Sequence, residues 1–221
     1  MLKSSVLALC YCICPGFSSC AGAAGLTAQE VRWLKAAAPV LAYSQSLRLP
    51  VDITVQPQAG RGAVALAMGF AKGRCKLVLS LRGNPEAEQV FAAIPPAQQD
   101  LLIETMAAHE LGHCWRYVQH AWHAAPTGFL TASTPDSATR REEAYADLAA
   151  LAWVQWRHRA DYLRVHRWMG KLRASVALSG ASHDTRAWLG LAADPRRFGL
   201  IAQPFADVAN LWRDGAALDL L

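Results

Sequence analysis

Two histidines four residues apart, in His109-Glu110-Leu111-Gly112-His113, lie inside a run that reads as one long helix. Pro95 and Pro96 open that run, where a missing backbone N–H is harmless, and helix formers carry it to about His120. On a helix such residues stand one turn above each other on one face. Both imidazoles then reach a single ion, and Glu110 faces a water beside it. This pattern constrains the whole fold, because a catalytic zinc site needs a third protein ligand and an open position. Another element has to pack against the helix and deliver that ligand. Gly112 agrees with such packing, since Gly costs about 1 kcal/mol relative to Ala in a helix interior and is best understood there as a point of close approach.

Counting narrows the third ligand. Downstream of the motif the chain has two glutamates, Glu142 and Glu143. In Glu143-Ala144-Tyr145-Ala146-Asp147 the two carboxylates share a helix face, so Glu143 can bind metal while Asp147 accepts the second N–H of a ligating histidine. Glu142 lies roughly 100 degrees round the helix and suits a capping box, Thr139-x-x-Glu142, at the start of that helix. His123, His158, His166 and His183 stay open as alternative third ligands. The longer H-E-x-x-H-x-x-G-x-x-H pattern fails, with Arg116 and Gln119 at its Gly and His positions.

The 221 residues are 53% hydrophobic and 18% charged, enough for one domain with a real core, which excludes disorder for most of the chain. A net charge of +5 is a small excess at this length. Arg157, Arg159, Arg164, Arg167, Lys171 and Arg173, interleaved with Trp153, Trp156 and Trp168, read as a solvated helix with its aromatics in the core, and no nucleic acid partner is expected. Before the long helix, Thr27-x-x-Glu30 caps a helix from Ala28 to about Leu47 that Pro39 should kink or end. Three runs have strand character, Val51 to Gln56, Ala63 to Phe70 and Cys75 to Leu81, with Gly60, Gly62 and Gly73 as turns. From Glu86 onward nearly everything reads as helix. The stretch Ala121 to Ala138 reads as a functional loop by its length.

Lys3, an apolar stretch from Val6 to Cys14, and small residues from Ser18 to Gly25 make residues 1–24 a secretory signal and 25–221 a single domain. A membrane span needs about 20 apolar residues, and Pro15 and Gly16 cut this stretch short. An alternative reads Phe17-Ser18-Ser19-Cys20 as a lipobox with Phe where Leu is usual, which would place a lipid on Cys20 and attach the protein to a membrane. Four of the six cysteines, Cys10, Cys12, Cys14 and Cys20, fall in this segment. The other two, Cys75 and Cys114, either pair in an oxidising compartment or stay as buried thiols.

H-E-L-G-H at 109–113 followed by E-A-Y-A-D at 143–147 resembles the gluzincin metallopeptidases, and more closely the heat-shock membrane protease and CAAX prenyl protease family, over about residues 60 to 190. The resemblance implies a mainly helical α+β, zincin-like domain with a small antiparallel or mixed sheet before the active-site helix. It implies Zn2+ held by His109, His113 and Glu143, with Glu110 as general base acting on a protein or peptide substrate. Such a protein would be exported, periplasmic or anchored in the cell envelope. In that family a substrate-binding edge strand precedes the active helix, the place that Cys75 to Leu81 occupies here. The family also has a His-Pro segment with an Arg six residues on. Ser182-His183-Asp184-Thr185-Arg186 lacks the Pro and has its Arg three residues on. His183 and Tyr145 are candidates for stabilising an oxyanion. The competing reading is a non-catalytic envelope lipoprotein that uses the same fold as a binding scaffold.

Overall fold

The computed structural model describes residues 25–58, 63–92, 94–126, 134–175 and 181–218, which form seven α-helices and one small sheet. Residues 1–24, read as a signal and containing Cys20, lie outside these residues, as do Gly60, Gly62 and residues 127–133 of the stretch read as a functional loop. Helix α1 (Ala28–Ser46) begins at Thr27, whose hydroxyl accepts the Glu30 N–H while the Glu30 carboxylate accepts the Thr27 N–H. That carboxylate is buried and also takes two hydrogen bonds from Arg82, so the capping box is tied to the chain just after the sheet. Pro39 sits inside α1, which continues past it. The buried stripe of Trp33, Ala37 and Val40 keeps α1 against its neighbours despite the lost backbone bond.

The sheet has strands β1 (Val51–Val55), β2 (Leu66–Ala71) and β3 (Arg74–Leu79) in the order β1-β3-β2. β2 and β3 form a hairpin through Lys72 and Gly73, both left-handed at φ 52° and 72°, the backbone that a tight two-residue turn requires. β1 then pairs parallel with the other side of β3. The sheet is therefore mixed, and the strand expected at its edge, Cys75 to Leu81, is the central one. Both of its sides are occupied, one by the hairpin partner and one by β1. The strand that lies along the long helix with a free edge is β2. β3 alternates as its residues suggest, with Cys75, Leu77 and Leu79 buried and Arg74 and Lys76 exposed.

After α2 (Pro85–Ala92), the long helix α3 (Pro96–Val118) packs against α1, the sheet and α4 (Pro135–Arg157). α4 starts earlier than the Thr139 capping box predicts. Its N-cap is Thr134, whose hydroxyl accepts the Ser137 N–H, and Pro135 fills the first helical position. Thr139 instead donates its hydroxyl back to the Pro135 carbonyl. From Ala144 to Val154 this helix is buried on every face, as expected of a helix with α3 on one side and α5 (Tyr162–Ala174), α6 (Arg186–Leu191) and α7 (Ala209–Leu218) on the others.

α3 and α4 approach each other closely at Gly112. A Cβ placed there would lie 2.9 Å from the Ala149 Cβ and 3.1 Å from the Ala146 Cα. Elsewhere along α3, Cys114 is joined to Cys75, which ties the long helix to the central strand. Gly112→Ala should lower stability, although helix propensity alone would raise it by about 1 kcal/mol, because overpacking of a tight contact costs about 1–3 kcal/mol. Chemical denaturation reads the sign directly. Replacing both Cys75 and Cys114 by Ala should cost about 2–5 kcal/mol, seen as a lower denaturation midpoint that added reductant no longer changes.

Candidate metal centre

α3 carries His109 and His113 one turn apart, with ring centroids 4.7 Å apart and planes at 88°, and their Nε2 atoms separated by 3.1 Å. α4 delivers Glu143 from across the Gly112 contact. Its Oε2 lies 3.6 Å from His109 Nε2 and its Oε1 lies 3.4 Å from His113 Nε2. The three side chains offer ligand atoms that all lie within 4.8 Å of one another. Two imidazole nitrogens and a carboxylate oxygen are the donors that zinc favours. The donor set therefore fits a metal ion, and His109, His113 and Glu143 form a cluster able to hold one.

One turn beyond Glu143, Asp147 lies at 2.9 Å from His109 Nδ1 through its Oδ1. A carboxylate there makes Nδ1 the nitrogen that carries the proton, so the Nε2 lone pair points into the cluster. Asp147 is almost wholly buried and would be costly as a lone charge. It is compensated from α5 and from the segment before α6. Arg173 donates to both of its oxygens, Nε to Oδ2 at 2.8 Å and Nη2 to Oδ1 at 2.7 Å, and the Thr185 hydroxyl donates to Oδ2 at 2.6 Å. Arg173 Nη2 also reaches Glu143 Oε2 at 3.0 Å, so one guanidinium braces both carboxylates.

These contacts set the charge states. Burial alone would raise Glu143, but the hydrogen bond from His113 and the charges of His109, His113 and Arg173 bring it down to about 2. Burial likewise opposes ionisation of Asp147, yet Arg173 and His109 hold it well below the ordinary carboxylate range. His109 is pushed down by burial and up more strongly by Asp147, Glu143 and Glu110. Glu110 behaves oppositely. Desolvation raises it, and the nearby histidines and a hydrogen bond from the Met68 backbone only partly offset this.

His183, in the short turn Ala181–His183, stands at the rim. Its Nε2 is 3.9 Å from Glu143 Oε1, its side chain is 42% exposed, and its Nδ1 is 3.0 Å from the Ser182 hydroxyl. Arg186 is turned away into an exposed pair with Asp184. Tyr145 is not available to a substrate, because its buried hydroxyl donates to the Phe205 carbonyl and burial pushes its pKa up. Glu142 is not a capping residue. It is buried in an ion pair with Arg116 and also accepts the His123 N–H. The other candidate ligands go elsewhere: His158 faces Glu104, His166 the Leu189 carbonyl, and His123 stacks on Trp122.

Arg173 is not one of the solvated arginines of its stretch but is buried against Glu143 and Asp147. The signal was there in helical spacing. Tyr162, Val165 and Met169 form the buried stripe of α5, and Arg173 is its next position. Comparison of the chain with family models, curated proteins and solved structures finds no match. The class is therefore defined by fold and site alone, a mainly helical α+β protein whose His-His-Glu cluster can chelate a metal ion. Arg173→Gln should destabilise the fold by about 3–5 kcal/mol, the cost of leaving a buried carboxylate unpaired. The same change should weaken zinc binding in competition with a chromophoric chelator.

Proposed function

We propose that this chain is a zinc-dependent endopeptidase of the cell envelope. The observation that carries the reading is the convergence of His109, His113 and Glu143 next to Glu110, a carboxyl group that is not a member of the donor set. A zinc ion held by those three residues would supply Lewis acidity and an acidified water. The chain's own residues do the rest. Glu110, raised by desolvation, takes a proton from the attacking water and later returns it to the leaving amine. Asp147, braced by Arg173 and Thr185, keeps His109 in one tautomer and one orientation throughout. His183, partly exposed beside Glu143, is the residue we assign to donate a hydrogen bond to a developing oxyanion, an assignment its position at the rim supports. An extended peptide adds to the free edge of β2 through backbone hydrogen bonds, alongside Met68 and therefore alongside Glu110.

Export is the second part of the proposal. The bond between Cys75 and Cys114 supports it, since structural disulfides persist in oxidising compartments. The basic start, apolar stretch and small-residue exit of residues 1–24 support it too, and a lipid on Cys20 would hold the protein at a membrane. Among the described residues no helix is long and apolar enough to cross a membrane.

Glu110→Gln tests the enzymatic reading. The variant should keep near-equimolar zinc, measured by elemental analysis, while cleavage of an unfolded protein falls by about 10²- to 10⁴-fold, the usual contribution of a general acid–base. Undiminished cleavage would remove Glu110 from its role, and purified wild type without zinc would favour a binding scaffold.

A further inference from the structure

The turn that follows α3 is held more firmly than a surface connection needs to be. His120 and His123 both adopt left-handed backbone, φ 54° and 61°, a conformation uncommon outside glycine. The segment is clamped on both sides. The Ala121 N–H donates to the Arg116 carbonyl, Arg116 Nη2 donates to the Ala124 carbonyl at 2.9 Å, and Glu142 Oε1 accepts the His123 N–H at 3.0 Å. Arg116 and Glu142 are themselves a buried ion pair, with the guanidinium lying over the Trp212 and Tyr145 rings at 4.3 and 5.0 Å. Buried ion pairs are weak contributors to stability compared with apolar residues of similar volume, so this one is better explained by what it positions.

What it positions is Trp122. The indole stands edge-on to His113 with centroids 5.5 Å apart and to Phe70 at 4.7 Å, and Phe70 stacks on Tyr117 at 4.3 Å. None of the three aromatic residues is fully buried. They continue the wall of the metal centre outward, from His113 along the end of β2, the strand with the free edge. Aromatic faces of this kind take up flat or branched apolar groups. Strand residues advance about 3.3 Å each, so a peptide lying along β2 would bring a side chain onto this wall within about two residues of the bond at the metal centre.

We infer that Trp122, Phe70 and Tyr117 form a substrate subsite for an aromatic or large aliphatic side chain close to the scissile bond, with the Arg116–Glu142 clamp setting its position. The inference rests on the peptidase reading, so its test separates binding from cleavage. Zinc-loaded Glu110→Gln protein is titrated calorimetrically with extended peptides that differ at one position, Phe or Leu against Ala against Lys. The same peptides are offered to wild type for cleavage.

The Phe and Leu peptides should bind about tenfold or more tighter than the Ala peptide, the discrimination typical of an apolar pocket. Adding Trp122→Ala should bring the peptides to within about twofold of one another, with zinc content unchanged. Adding Trp122→Phe instead, which keeps an aromatic face, should retain most of the preference and guards against a variant that merely misfolds. A preference that survives Trp122→Ala and Phe70→Ala together, or a preference for Lys, would overturn the subsite. Cleavage without an apolar preference removes the subsite and leaves the peptidase reading standing. Selective binding without any cleavage supports the subsite and removes that reading.

Discussion

The contact on which the site depends is the one between Gly112 on α3 and Ala146 and Ala149 on α4. Two helices approach this closely only where side chains are nearly absent from both. Gly112 lies between His109 and His113, and Ala146 lies between Glu143 and Asp147. The smallest residues of each helix are thus interleaved with its functional ones. Close approach brings the Glu143 carboxylate within 3.6 Å of both imidazoles and sets Asp147 against the far nitrogen of His109. A wider spacing would leave the same residues on the same faces without a shared centre. Packing and chemistry are therefore one constraint in this fold.

That arrangement concentrates charge in the interior, and the surrounding elements are organised around it. Glu143 and Asp147 are carboxylates one turn apart on one helix, which repel each other when nothing intervenes. Arg173 resolves the conflict by donating to both, and Thr185 completes the hydrogen bonding of Asp147. The two donors come from α5 and from the residue that precedes α6, so the elements behind α4 brace the candidate ligand cluster, Arg173 through a direct hydrogen bond to Glu143 and Thr185 through Asp147. On the other side, the Cys75–Cys114 bond joins the central strand to α3 at the residue after His113. The sheet is thereby held in a fixed relation to the ligands, with β2 and its Met68 N–H beside Glu110.

Much of this was legible in the residues, for identifiable reasons. Helix-borne patterns survive translation into structure, because the spacing of His109 and His113, and of Glu143 and Asp147, is dictated by local backbone geometry. The Thr27–Glu30 capping box is local too, and it forms as expected. Local rules that compete are harder to rank. Thr139-x-x-Glu142 looks like a helix start, yet α4 begins at Thr134-Pro135, inside the stretch read as a loop, and Glu142 is taken by Arg116, a partner 26 residues away in the chain. Strand order was not legible for a related reason. Which of three short strands is central depends on which edges meet, and β1 joins β3 across the intervening hairpin.

By itself, the sequence determined a set of residues able to ligate a metal and its local placement: two histidines on one helical face, a carboxylate pair on another, and a glycine where they could meet. Those are consequences of helical periodicity and residue chemistry, and they hold wherever the helices go. Helical spacing puts Arg173 on the buried stripe of α5, but the tertiary structure alone decided what would neutralise the buried charges. Arg173 looks like a solvent-facing cation in a basic stretch, and nothing local marks Arg116, until long-range packing encloses them with Asp147, Glu143 and Glu142. It also decided that Tyr145 would face inward and His183 would stand at the rim. Electrostatic partners across tens of residues are chosen by how elements pack, and no local pattern encodes that choice.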